Sequence, residues 1–150
     1  MNHVQAKILF ASNSGNTEHL AELLHNELTT NGYEVEIENV KHAVIKPLSQ
    51  FDLVLVGSFT RGEGDLPRQW KKYFENGMYN HPNVAVFGTG DTQWGNSYCG
   101  ACDTLAAWYE SSYEPLRIEH YPDSTQENKV KQWIGEVINE TNNGYATSRI

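Results

Sequence analysis

Four apolar residues, Ile8-Leu9-Phe10-Ala11, run without a break into Ser12-Asn13-Ser14-Gly15-Asn16-Thr17. A short buried strand that passes into a helix through hydroxyls, amides and one glycine points to strand–helix–strand packing. Such a junction also makes an anion site. The first N–H groups of a helix lack partners inside it, and the positive end of its dipole points the same way. Ser12, Ser14 and Thr17 add hydroxyl donors, and Asn13 and Asn16 add amides. Capping and turn formation use two or three such residues, whereas this loop has six in a row. It contains no Lys or Arg, so it would hold a phosphate with neutral donors. The lysine that a nucleotide-hydrolysing loop places on the terminal phosphates is missing.

The rest of the chain alternates in the same way. Leu20, Leu23, Leu24 and Leu28 recur at helical spacing, and Gly32 follows as a C-terminal cap. Residues 33–38 alternate as a half-buried edge strand, and 51–57 are almost continuously apolar, as a central parallel strand requires. Residues 66–77 place Trp70, Tyr73 and Phe74 on one helical face. A second central strand is expected at 83–88, a helix at 98–112, an edge strand at 116–121 and a last helix carrying Val130, Trp133, Ile134, Val137 and Ile138. Five strands alternating with helices predict a doubly wound five-stranded parallel sheet, order 2-1-3-4-5, with helices on both faces. The whole chain, 1–150, reads as a single domain with its core at 6–140 and a frayed polar tail at 143–150.

Composition narrows the function. The net charge is −8, from 19 acidic and 11 basic residues, with no basic stripe, which argues against nucleic acid. An acidic surface suits a basic protein partner through steering. No apolar run approaches the length needed to cross a bilayer, and the first residues do not read as a signal peptide. The expected compartment is the cytoplasm. Cys99-Gly100-Ala101-Cys102 is half of a zinc site without its other half. It also lacks the setting of a thioredoxin pair, so it reads as two small residues opening a helix.

Three loops leave the C-terminal ends of the first, third and fourth strands: 12–17, 58–67 and 88–98. In a doubly wound sheet they meet in one crevice near the switch point. They bring glycines for close backbone approach (Gly62, Gly64, Gly88, Gly90) and the aromatics Phe59, Trp94 and Tyr98. Singly, these residues are ordinary turns and packing. Jointly, they suit a flat aromatic ligand carrying one phosphate.

Ser12-x-Ser14-Gly15-Asn16-Thr17, then Thr60-x-Gly62-x-Gly64-Asp65-Leu66-Pro67, then Gly88-x-Gly90-Asp91 resemble a short-chain bacterial flavodoxin over about 6–140. No extra segment interrupts the last strand, as it does in long-chain members. The resemblance implies FMN as cofactor and one-electron transfer, with no catalytic residue, no metal and no substrate turnover of the protein's own. Ser12 to Thr17 would take the phosphate. Thr60, Arg61 and Gly62, with Thr89, Gly90 and Asp91, would edge the isoalloxazine through backbone groups. Trp94 would stack on its outer face, with Tyr98 and Cys99 near the pyrimidine side. Gly62 matches the position whose carbonyl rotates to accept a hydrogen bond from the reduced ring. Glu63 and Asp65 would be rim charges that steer a basic reductase.

Arg61 stands where the family commonly has Trp. A guanidinium near the ring would favour the anionic, fully reduced flavin. The second reduction potential is therefore expected to be less negative than in an Arg61→Trp variant. The implied partners are basic-surfaced reductases of the flavodoxin or ferredoxin reductase type and acceptor redox proteins, met by a monomer. The alternative reading is a flavodoxin-like activator of class Ib ribonucleotide reductase, which also lacks the inner Trp and has an aromatic near Trp94-Gly95. A response-regulator domain on this fold would need acidic residues at the end of the first strand, where Ala11-Ser12 stand.

Overall fold

The computed structural model describes residues 4–13, 15–60, 66–77, 79–90, 100–119 and 124–148. The elements are β1 (Val4–Phe10), α1 (Asn16–Thr30), β2 (Tyr33–Asn39), β3 (Leu53–Phe59), α2 (Arg68–Tyr73), β4 (Val84–Gly90), α3 (Gly100–Trp108), β5 (Leu116–Glu119) and α4 (Glu127–Ser148). All strand pairs are parallel, in the order β2-β1-β3-β4-β5. This is the expected topology.

Side-chain alternation along each strand builds two cores. On one face Ala6, Ile8 and Phe10 of β1 meet Leu20, Leu24 and Leu28 of α1 and Val130, Ile134 and Val137 of α4. On the other face Leu9, Val54 and Val56 meet Trp70 of α2, Cys102 and Leu105 of α3, and Tyr109 just after it. Each fully buried Leu or Ile contributes about 1.5–3 kcal/mol relative to exposure. The two faces together cover the sheet, which explains why β3 and β4 are apolar almost throughout.

Several boundaries differ from the sequence expectation, each for a local reason. β3 and β4 extend toward the site, so Ser58, Phe59, Thr89 and Gly90 are strand residues rather than loop residues. Ser58 pairs with Gly88 and Phe59 with Thr89, so ladder bonds continue past the apolar run. The helix expected over 66–77 shortens to α2 and a 3-10 turn at Phe74–Asn76, between Pro67 and Gly77 at φ 109. α3 ends at Trp108, and Glu110 takes φ 53, which closes the helix early. The last helix continues to Ser148 where a frayed tail was expected. Extending a formed helix fixes one residue per added bond, so even Asn142-Asn143-Gly144 can follow it. Of the strand expected at 116–121, Leu116–Glu119 is described.

One residue in the first core strand is charged. Lys7 is 3% exposed on β1, and its ammonium donates to Glu36 at 3.0 Å and to Glu38 on neighbouring β2. Parallel register sets Lys7 opposite Glu36. The buried cation is therefore paired across the ladder, as burial of a charge requires.

Candidate functional site

β1, β3 and β4 are adjacent, and their C-terminal ends lie side by side. The chain leaves β1 at Ala11, whose N–H still bonds the Gly57 carbonyl of β3 at 3.0 Å. It then turns into α1 through Gly15, which caps the helix at φ 90 and ψ −8. That left-handed conformation is open to glycine and costs other residues roughly 1 kcal/mol or more. No side chain caps this helix at its own N-cap position. Instead the Ser12 hydroxyl accepts the Glu18 N–H at 3.3 Å, from outside the helix. The N–H groups of Asn16 and Thr17, in the first turn, have no acceptor within α1.

Thr17 is buried, and its Oγ1 lies 2.8 Å from Oγ1 of Thr89 at the end of β4. The start of α1 is thereby fastened to the far side of the crevice. Thr60, just past β3, accepts the Ala101 N–H of α3 at 3.3 Å. Its side chain ties the second loop to the first turn of α3, a role that local sequence pattern does not signal. Trp70 completes the frame. Its indole N–H donates to the Gly57 carbonyl at 2.9 Å, the same oxygen that Ala11 uses. A buried Trp needs a partner for that N–H, and here the partner fixes α2 against the end of β3.

The structure thus brings together Ser12, Gly15, Asn16, Thr17, Phe59, Thr60, Thr89 and Gly90. Asn13 is exposed and, with Phe59, also lines a neighbouring cleft of about 870 Å³. Ser14, Arg61, Gly62, Asp91, Trp94, Tyr98 and Cys99 lie outside the described residues. Cys102 is fully buried, and a Cβ at Gly88 would lie only 2.3 Å from its Sγ. Gly88 is therefore needed for β4 and α3 to pack closely. In the neighbouring cleft, burial raises the Tyr73 phenol above its usual value near 10, and the Glu38 carboxylate adds to this. Among the described residues no group of His, Cys, Asp and Glu is placed to hold a metal ion. No described helix is long and apolar enough to cross a membrane.

The donor chemistry fits a phosphate monoester. A helix N-terminus with free backbone donors, a left-handed glycine, adjacent hydroxyls and no cation in the loop suits a singly phosphorylated group. Strand order and the position of this loop define a doubly wound α/β protein of flavodoxin-like topology, with its ligand end at the switch between β1 and β3.

The flavodoxin family pattern matches residues 8–113. Probable flavodoxin 2 of Bacillus subtilis is 32% identical over 136 residues, covering 83% of this chain and 89% of the relative. Flavodoxin 1 of Escherichia coli K12 is 29% identical over 120 residues, covering 77% and 66%. The crystal structure of oxidised Flavodoxin 1 from Bacillus cereus superposes with a TM-score of 0.80 at 26% identity, covering 90% of this chain and 97% of that one. The chain belongs to the flavodoxin family, and it is an FMN-binding electron carrier.

Proposed function

We propose that this protein shuttles single electrons between a basic-surfaced reductase and an acceptor protein in the cytoplasm, as a monomer without substrate turnover of its own. FMN supplies the one-electron chemistry when bound. Ser12, Ser14, Thr17 and the first N–H groups of α1 would hold its phosphate. Asn13 and Asn16 would contribute amides from the same loop. Thr60, Arg61, Gly62, Thr89, Gly90 and Asp91 would edge the ring through backbone groups, with Trp94, Tyr98 and Cys99 on the third loop and Phe59 behind it.

The observation that carries this reading is the left-handed Gly15 cap, with α1 tied by Thr17 to the end of β4. It holds a donor-lined helix end beside two further strand ends, so a phosphate and an attached ring can be gripped together. The protein's part is then to bind, to orient the ring and to exclude water from all but one edge. The acidic balance supports a basic partner for one half-reaction, through steering of encounter.

The test is reconstitution of the apoprotein with FMN, followed by stepwise reduction watched by absorption. Stoichiometric uptake with quenched flavin fluorescence is expected, followed by one-electron delivery to cytochrome c. A protein that takes up no FMN would overturn the reading.

A further inference from the structure

The charge of this acidic chain is unevenly spread. Six of its 11 basic residues, Lys41, Lys46, Arg61, Arg68, Lys71 and Lys72, lie within 41–72, where only Asp52, Glu63 and Asp65 oppose them. The fold gathers three of the described members, Lys41, Arg68 and Lys72, around one cleft. The 40–46 segment after β2 and the short helix α2 face each other across the 870 Å³ cleft, whose lining includes Lys41, Val44, Arg68, Lys72, Tyr73 and Glu75. Lys41, Arg68 and Lys72 are exposed, and Arg68 and Lys72 stand one helical turn apart. Val44, between the cations, is 74% exposed, the highest figure among the exposed large hydrophobic residues of the described chain. Among the described residues of the lining, Glu75 is the acidic one. Lys46 is partly drawn back, 4.0 Å from Glu38.

An apolar centre within a charged rim is the anatomy of a protein interface. The sign of the rim selects the partner. Asn13 and Phe59 line the same cleft, so it adjoins the crevice at the strand ends. We propose that this cleft docks a redox protein that presents an acidic patch around an apolar contact, as the second of the carrier's two partners. The proposal rests on the electron-carrier reading. A shuttle must release one partner before meeting the next. A cationic rim beside the crevice lets an acidic partner be recognised by contacts that a basic partner would not use.

The test uses a pair of probes with one redox centre and opposite charge: cytochrome c, which is basic, and the same protein with its lysines succinylated, which is acidic. The FMN-loaded protein is reduced, and the rate at which one electron converts ferric to ferrous haem is measured at low salt. Lys41→Gln/Lys72→Gln is compared with Lys129→Gln/Lys131→Gln on α4, which removes the same charge elsewhere. With the succinylated probe, the cleft variant is expected to be slower than the α4 variant by about fivefold. The difference should vanish once salt screens the surface. In parallel, amide chemical shifts of the FMN-loaded protein are followed as succinylated cytochrome c is added, and changes centred on 41–46 and 68–75 are expected. Equal slowing in the two variants, or shifts centred elsewhere, overturns the proposal. Shifts at the cleft on raising the protein concentration alone overturn it in favour of a second copy. Saturation by citrate at equal strength overturns it in favour of a small anion. If neither cytochrome form accepts electrons, the carrier reading fails, and the shift map still decides the docking surface.

Discussion

The hydroxyls of Thr17 and Thr89, 72 positions apart in sequence, meet at 2.8 Å in a buried contact that ties the first turn of α1 to the end of β4. Either valine substitution leaves the other hydroxyl buried without this partner, at about 1–3 kcal/mol. The Thr17→Val/Thr89→Val double variant should be more stable than the two single losses added together, as denaturant melts of the apoprotein would read. Both single variants should also weaken FMN binding, because the helix end loses its anchor. Additive losses would show that the contact carries no coupling.

Gly15 is required by its backbone conformation and not by crowding. A Cβ there meets nothing within 4 Å, yet φ is 90. Gly15→Ala should cost about 1 kcal/mol, and Gly15→Asn should recover part of it, since Asn tolerates this region. Thermal melts of the three proteins check the order.

Gly57 and Phe87 are cross-strand neighbours, and a Cβ at Gly57 would lie 2.1 Å from the Phe87 ring. Gly57→Ala should therefore destabilise by about 1–3 kcal/mol or more through overpacking. Adding Phe87→Leu should make the alanine at 57 cheaper than it is in the parent. A double-variant cycle by urea unfolding measures the sign.

Lys7 is buried against Glu36 and Glu38, and its ammonium sits 5.8 Å from the Phe51 ring. Removing both carboxylates, as Glu36→Gln/Glu38→Gln, strands the cation and should cost about 3 kcal/mol. Lys7→Met keeps the volume and deletes the charge, so stability should stay within about 1 kcal/mol of the parent. Calorimetry at neutral pH separates the two outcomes.

Burial raises the phenols of Tyr109, Tyr33, Tyr73 and Tyr113 above their usual value of 10.0. For Tyr33 the carboxylate of Asp52 adds to burial, and for Tyr113 the bond with Thr141 partly offsets it. These groups hold their protons more tightly folded than unfolded. Their contribution is complete below about pH 10 and is lost as pH rises through the folded values. Melting temperature should fall steeply above pH 10, and tyrosinate absorbance from these residues should appear together with unfolding.

Local pattern carried the topology. The apolar runs at Ile8–Ala11 and Leu53–Gly57, the helical spacing of Leu20, Leu24 and Leu28, and the cap at Gly32 are each decided by neighbours within a turn or a strand. The crowd of Ser, Asn, Gly and Thr at 12–17 marked the helix entry for the same reason. The sequence alone therefore determined the doubly wound order, the flavodoxin resemblance and the loop through which β1 enters α1. Contacts between distant segments were left to the tertiary structure. Only the packed sheet decided that Thr17 meets Thr89, that Thr60 reaches Ala101, that Trp70 shares the Gly57 carbonyl with Ala11, and that Lys7 is paired with β2. It also brought Lys41 together with Arg68 and Lys72 of α2 around one cleft, which their shared stretch of sequence alone did not announce. Periodicity reports which face of an element is buried. It does not report which polar groups meet there, because that depends on strand register and on the docking of helices many residues apart.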